Sequence, residues 1–488
     1  MIAAVTALLP LLLLEPQEPI TVHEDIQYSD VARQARRNRL DLYVPTANSR
    51  MGTPSSAIDA SDSKSAEVEL KKVAPPLVMF VHGGSWTGGH KGSYDWLGEA
   101  LVGHGYACAV INTQLFPFAK PDEMVADCGQ ALGYLHRHAE EFGFDGDQLF
   151  VMGHSSGAHL CSWLAFDQDQ LKAAGVPNKA LRGSVLLSGV YDIRSRHIAL
   201  DAVFGSDDEY RRRATTLLYA DKADAPVFIA WADHDLPCLA LCARMLRDRL
   251  QDAGVPVLAR QYPNCNHKDY VFGLARDQDR VMGDVLQFLR DPTKAATPRV
   301  AERKRTLLWV ATSDQEHEIG EALAAALQIH GVYVVVQDLA QPTSESVSHA
   351  YRKLRGIGGK AMTSCYVGGI GRGGAIAASV PLTAAKDGLS GRIAIGASLS
   401  GRALAKFSNR TVAAVTDGLY NSRLLSVLGD QDPKSLRDQS MRLSMSLMRR
   451  GQEAHLVELP NTTAEAAFLK LRPGDSLLIP MLLAFLYP

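Results

Sequence analysis

Charge of one sign is missing from this chain: 51 lysines and arginines face 53 acidic residues, a formal net charge of −2 over 488 residues. Nucleic-acid binding draws on a basic excess that displaces counterions, so this balance argues against such a partner. Cysteine is scarce and odd in number, seven in all and thinly spread, which excludes a disulfide framework. Cys238 and Cys242 stand one helical turn apart with no second pair at metal spacing, so they read as small buried apolar residues. The fifteen histidines include no H-E-x-x-H or comparable spacing, and His136 and His138, two apart, cannot share a helical face. No metal and no cofactor is implied. The apolar run Ile2–Leu14 is shorter than the roughly 20 residues that cross a bilayer, so no stable membrane span is expected there. It suits the core of a secretory signal, yet no Lys or Arg precedes it and no small-x-small cleavage site follows. Residues 1–19 fit an exported protein, periplasmic or secreted, and a cytoplasmic one with an apolar terminal helix equally well.

What is present is alternation. The length exceeds one ordinary core, so two domains are expected, and 46% hydrophobic residues suit a soluble globular protein. "RLDLYVP" reads as an early strand. "PLVMFV", Pro76 to Val81, is a short continuous apolar run, as a strand buried on both faces should be. Similar runs lie at 106–111, 149–152, 184–187 and 227–231. Helical patterns separate them, as in Met124, Cys128, Leu132 and Leu135. The fold class is therefore α/β, with a mostly parallel sheet flanked by helices on both faces. Residues 46–75, rich in Ala, Ser, Thr and charge, are expected to be a mobile surface loop. Residues 294–305 form a polar linker between units spanning 20–293 and 306–488. The second unit repeats the first: "GSVLLSG" is echoed by "IAIGASLSG", "ADHDLP" by "GDQDPK", and "YPNCNHKDYVF" by "LPNTTAEAAF". Pro263 follows Asp235 by 28 residues, and Pro460 follows Asp432 by 28.

Gly153-His154-Ser155-Ser156-Gly157 fits G-x-S-x-G between an apolar strand and a helical pattern. A strand turning abruptly into a helix leaves no room for Cβ atoms beside the serine, whose hydroxyl is presented at the sheet edge. The Ser156 N–H then faces a developing oxyanion at a helix N-terminus. His82-Gly83-Gly84-Ser85-Trp86 follows another strand directly, and its glycines let successive N–H groups converge on one spot, the second half of an oxyanion hole. Serine needs a base oriented by an acid. Downstream, "FIAWADHDLP" offers Asp233 and Asp235, and "YPNCNHKDY" offers His267.

These residues resemble the α/β-hydrolase superfamily, in particular carboxylesterases of the hormone-sensitive-lipase, feruloyl-esterase and kynurenine-formamidase type. The resemblance covers residue 20 to about 289 and rests on "GHSSG", "HGGSW" and "LDLYVP". It implies a catalytic triad of Ser155, Asp235 and His267, with Asp233 the fallback acid. It also implies an oxyanion hole around Gly83 and Gly84, with donors from Gly84, Ser85 and Ser156. The implied activity is hydrolysis of small carboxylic esters through an acyl-enzyme. Three departures are visible: Ser85 replaces the third glycine of H-G-G-G, "NTQLFP" replaces N-Y-R-L-x-P, and "RRRATTLLY" stands where a Ser-Pro is common. "DHDLP" resembles the acid turn of arylformamidases, which makes amide hydrolysis the alternative. A catalytically idle binding or assembly protein is the alternative of another class.

Counted onto the second unit, Ser155 falls at Gly371, Asp235 at Asp432 and His267 at Ala464, and "FVHGGSW" becomes "WVATSDQ". That unit should be a degenerate, silent α/β-hydrolase-like domain, and its "VGGIGRGGA" is explained as an elbow remnant, not a dinucleotide fingerprint. Trp86, Phe116 and Phe118 are candidates for an apolar substrate pocket. Arg211 to Arg213 read as a solvated helix face, with contact to an acidic substrate the alternative. The connection from Ile193 to Ala225 is short enough that no large lid is expected.

Overall fold

The computed structural model describes residues 20–31, 33–46, 74–194, 198–236, 238–275, 279–296, 305–328, 332–338, 343–358, 364–379, 389–397, 423–450, 452–471 and 477–486. The apolar segment 1–19, nearly all of the proposed loop 46–75 and most of the proposed linker lie outside them. Eight strands form the first sheet: β1 (Ile20–Gln27), β2 (Arg39–Pro45), β3 (Pro76–Val81), β4 (Ala107–Ile111), β5 (Asp145–His154), β6 (Leu181–Leu187), β7 (Val227–His234) and β8 (Val257–Asn266). Their order is β1-β2-β4-β3-β5-β6-β7-β8. The β1–β2 and β2–β4 pairs are antiparallel, and all others are parallel. Every residue of β4 is buried, as a strand covered on both faces requires.

The apolar runs locate each strand but not its ends. The run 149–152 marks only the middle of β5, because Asp145 still pairs with Pro76 across a register shift. Ladder bonds are made by backbone whatever the side chain, so polar ends stay invisible to hydropathy. The helix Pro121–Arg137 buries Met124, Cys128, Leu132 and Leu135, the positions its periodicity named, and starts on a proline at its N-terminus.

A second sheet follows: β9 (Arg305–Ala311), β10 (Val332–Asp338), β11 (Ser364–Ile370), β12 (Leu389–Ile395), β13 (Arg423–Gly429) and β14 (Ala454–Leu459). Its order is β10-β9-β11-β12-β13-β14, all parallel. This reproduces β4-β3-β5-β6-β7-β8 strand for strand. The two sheets are not independent bodies on a string. One apolar cluster runs through both, joining Leu241 and Leu246 of the helix Leu239–Asp252 to Leu482 and Phe485 of the helix Leu478–Leu486. Among the described residues no helix is long and apolar enough to cross a membrane.

Candidate active site

The sharp turn at the end of β5 places Ser155 at φ 56°, ψ −120°, a positive-φ backbone that ordinary residues avoid. Its N–H donates to the Leu187 carbonyl at 2.8 Å, which ties the turn to β6. The glycines are demanded by contact. A Cβ at Gly157 would lie 2.1 Å from the Val81 carbonyl oxygen, and one at Gly153 would lie 2.4 Å from the Gly157 carbonyl oxygen. Both neighbours are backbone and cannot yield. Gly157→Ala is accordingly expected to destabilise the fold by about 3 kcal/mol, read as a lower urea midpoint with loss of soluble yield. An unchanged midpoint would mean the helix is not wedged against β3.

Against this elbow lies the loop after β3. A Cβ at Gly83 would stand 3.1 Å from that of Ser155, and one at Gly84, whose φ is 141°, would stand 2.2 Å from the Gly88 carbonyl oxygen. Ser85 and Trp86 follow at φ 54° and 60°. The third-glycine position therefore keeps a glycine-like backbone although a serine fills it. That strain is on the order of 1–3 kcal/mol per residue. The Gly84 carbonyl accepts from the N–H groups of Thr87 and Gly88, and the Trp86 carbonyl from that of Phe116 at 2.9 Å. Buried His82 closes the loop from below through a 3.0 Å contact between its Nδ1 and the Gly83 carbonyl.

Asp235 and His267 meet: Oδ1 lies 2.7 Å from Nδ1, with the carboxylate side chain 1% exposed. The carboxylate also accepts from the Leu236 N–H at 2.8 Å, the Ala232 N–H at 3.1 Å and the Ser188 hydroxyl. Ser188 in turn sits 2.6 Å from the Tyr270 hydroxyl. Asp233, the fallback acid, is engaged elsewhere. It accepts from the N–H groups of Asn264 at 2.8 Å and Cys265 at 3.2 Å, holding the loop that carries His267. The two acids of one short turn thus have different tasks, one for the ring and one for its loop. No hydrogen bond between the Ser155 hydroxyl and the imidazole is among those described; such contacts commonly tighten only when substrate arrives.

Sequence reading missed Ser188, Tyr270, His154 and His159. Ser188 had a signal, since it follows β6 at the same sheet edge and takes φ 48°. His154 places Nε2 2.9 Å from the His267 carbonyl; a carbonyl only accepts, so that nitrogen carries the proton. His159 likewise meets the Ala214 carbonyl at 2.8 Å through Nε2, while its Nδ1 accepts from the Trp86 indole at 3.3 Å.

Three buried histidines stay neutral. Desolvation, with Arg37 nearby, lowers His82 to about 4. Desolvation, then the neighbouring His267, lowers His154 to about 3, and desolvation lowers His159 to about 4. Below pH 6.5 the unfolded chain takes up protons that these folded sites refuse, so stability is complete above that pH and drains away toward pH 4. Each contributes on the order of 1 kcal/mol per pH unit in that window. Urea midpoints measured from pH 7 to pH 5 should therefore fall steeply, and a flat profile would contradict the buried neutral rings.

A cavity of about 860 Å³ opens beside this edge, walled by Phe116, Phe204 and Tyr210 among others. Ser155 is not in its wall; the cavity adjoins the loop after β3 through Trp86, whose ring meets Phe204 edge-on at 4.9 Å. Of the three pocket candidates, Phe116 lines the cavity, whereas Trp86 is buried behind it and Phe118 is 57% exposed outside it. The basic triplet departs from the solvated reading at Arg211 alone, Arg212 and Arg213 being exposed. Arg211 is 1% exposed and bound to the Gly205 carbonyl and Asp201, while Arg212 and Arg213 face the cavity. Helix periodicity turns the first of three consecutive residues inward. The short connection 193–225, from which no lid was expected, supplies much of this wall through the helices Ile198–Phe204 and Asp208–Ala214.

Residues 67–238 match the family model BD-FAE. An isoprenylcysteine alpha-carbonyl methylesterase of Arabidopsis thaliana is 24% identical over 293 residues, covering 55% of this chain and 62% of that protein. A kynurenine formamidase of Drosophila melanogaster is 24% identical over 225 residues, 44% of this chain and 72% of that protein. Among solved structures, esterase B from Lactobacillus rhamnosis is 20% identical, with a TM-score of 0.45 over 56% of this chain and 85% of that one. The chain spans less than two thirds of the length of the first of these relatives.

Proposed function

We propose, from the premise that the chain belongs to the α/β-hydrolase carboxylesterases of the hormone-sensitive-lipase and feruloyl-esterase type, that it is a serine esterase acting on small carboxylic esters. The observation that carries this reading is the buried Asp235–His267 pair at 2.7 Å, delivered to the sheet edge where Ser155 stands in its strained turn. The imidazole takes the Ser155 proton as Oγ attacks the ester carbonyl. Asp235 fixes the Nδ1–H tautomer and stabilises the imidazolium without taking the proton itself. N–H groups of Gly84, Ser85 and Ser156 stabilise the oxyanion, each worth roughly 3–4 kcal/mol when well placed. The imidazolium then protonates the departing alkoxide. Water, deprotonated by the same ring, attacks the acyl-Ser155 ester and releases the acid.

The direct test is labelling of the intact protein with a fluorophosphonate probe. Modification at Ser155, lost after heat denaturation, is expected; an unlabelled serine in folded protein would leave the site idle and favour a binding or assembly role. A second reading, amide hydrolysis of the formamidase kind, draws on the Drosophila relative and the "DHDLP" turn. Faster turnover of N-formylkynurenine than of 4-nitrophenyl acetate would select it.

For the second sheet, we infer a degenerate copy of the first, in tandem with it. Support comes from backbone that repeats without the chemistry. Gly371 takes φ 52° where Ser155 takes 56°, Gly396 takes 54° where Ser188 takes 48°, and Asn461 takes 54° where Asn264 takes 58°. Asp432 accepts from the Gly429 N–H at 2.7 Å, as Asp235 does from Ala232. It then accepts from the Ala464 N–H where His267 would be. An acid that caps its own turn explains why Asp432 is retained without a histidine. Neither a hydroxyl nor an imidazole remains at the two other places, so this copy has no nucleophile and no base.

A further inference from the structure

The cavity next to the oxyanion loop has a wall of unusual chemistry for an ester pocket. Its apolar body is aromatic, from Phe116, Phe204 and Tyr210, and its polar part includes Lys120, Arg212 and Arg213. Two of these cations gather over one ring: Arg213 lies 5.2 Å and Lys120 5.8 Å from the centre of Tyr210. One acidic group of the wall is paired with a cation and a second is turned to its own helix. Asp122 accepts from the Tyr210 hydroxyl at 2.9 Å and from Arg213 at 3.2 Å. Asp207 caps its helix, accepting from the N–H groups of Glu209 and Tyr210. Among the described residues Lys120 and Arg212 form no ion pair, and Glu209 is the one wall carboxylate without a described partner. Outside the Asp122–Arg213 pair the wall thus holds two cations without an ion pair, Lys120 and Arg212, against Glu209 and the helix-capping Asp207. A volume of about 860 Å³ lies in the range of small-ligand sites.

Position gives the wall its meaning. The cavity adjoins Trp86, the residue after Ser85, through the Trp86–Phe204 ring contact and the Phe116 N–H bond to the Trp86 carbonyl. Those two contacts put the cavity on the Trp86 side of the oxyanion loop. We propose that this cavity is a specificity pocket for esters whose acid or alcohol half has an aromatic or apolar body ending in a carboxylate. The proposal rests on the serine-esterase reading for its reaction and on the cavity for its ligand. The ring faces take the body, and Lys120 and Arg212 meet the anion.

Two substrate pairs test it, each differing only in charge or nearly so. The mono-4-nitrophenyl ester of glutaric acid against 4-nitrophenyl butyrate puts the anion on the acyl side. 4-Butyryloxybenzoate against its methyl ester puts it on the alcohol side. In at least one pair the anionic ester should be favoured about tenfold in kcat/KM at low salt, through KM, because contacts made equally in ground and transition states act on binding. The preference should shrink in 1 M NaCl, vanish in the double variant K120Q/R212Q, and grow in E209Q. Neutral esters favoured in both pairs, or a preference untouched by K120Q/R212Q, would overturn the pocket assignment. Should no ester of either charge be turned over, the serine reading fails on its own. Benzoate binding by calorimetry, wild type against K120Q/R212Q, then decides the pocket: weakened binding in the variant supports it, equal or absent binding rejects it.

Discussion

Ser155→Ala is expected to lower kcat for a short acyl ester on the order of 10⁵-fold or more, with KM little changed. The serine is the only group proposed to form the covalent intermediate, and members of such a triad fail together. What survives comes from the oxyanion donors alone. The acid allows a sharper contrast. Asp235→Asn should lower kcat about 10⁴-fold, because an amide in that place can present an N–H toward Nδ1 and impose the wrong tautomer. Asp233→Asn, two residues away, should change kcat by less than about tenfold, since it supports only the loop amides of Asn264 and Cys265. Steady-state rates with 4-nitrophenyl butyrate decide. If the two aspartates proved equally important, or Asp233 the more so, the assignment of roles made from their hydrogen bonds would be wrong.

The second large effect lies far from any reaction. Arg244, on the helix Leu239–Asp252, is 0% exposed, and its counter-charge comes from the residue before β14 of the second sheet. It donates to Glu453 at 2.6 Å and to the Ala484 carbonyl at 3.0 Å. Glu453 also receives Arg423 at 2.8 Å and faces His455 at 2.8 Å. Burial alone would raise its carboxyl, but Arg244 and Arg423, with His455, outweigh that and hold it well below the usual carboxylate range. Glu453→Ala should therefore cost about 3–5 kcal/mol by stranding a buried guanidinium, and Arg244→Ala a similar amount. The paired replacement Arg244→Met with Glu453→Leu should cost clearly less than the sum of the single changes. Because the depressed carboxyl favours its charged form, this contribution is complete above the unfolded pKa of about 4.3 and is lost as pH falls from there through the folded pKa. Urea unfolding of each variant gives the cycle. A single transition is also expected for the intact chain, since one apolar cluster runs through both sheets; two separated transitions would mean the interface is weak.

Contacts between the two sheets also reach the side of the first sheet where Asp235 lies. Cys238, immediately before the helix that carries Arg244, meets the Leu456 carbonyl, and Asn461 meets Asp208 in a helix of the cavity wall. The helix that carries Arg244 begins at Leu239, four residues after Asp235 in the chain.

Much of the site was legible in the chain itself. G-x-S-x-G and H-G-G are local demands: where backbone passes within 2.1 Å of a would-be Cβ at Gly157, only glycine survives, so the constraint is written at the position itself. Strand cores were legible for the same kind of reason, because burial on both faces excludes polar residues. Strand ends were not, since backbone pairing leaves no mark on side chains. The proposed duplicate unit showed through its turns, which keep Gly371 and Asp432 after hydroxyl and imidazole are gone.

Tertiary structure alone decided what depends on two distant segments meeting. Asp233 and Asp235 are equivalent as letters, and only the placement of the loop after β8 divides ring from loop amides between them. Arg211 was turned inward and Arg212 outward by the packing of one short helix. Ser188, Tyr270 and His159 gained their roles from neighbours 47, 82 and 55 residues away. A residue can be read from sequence wherever its own backbone or burial restricts the choice; partnership across the fold leaves no such local trace, because either member alone is compatible with many surroundings.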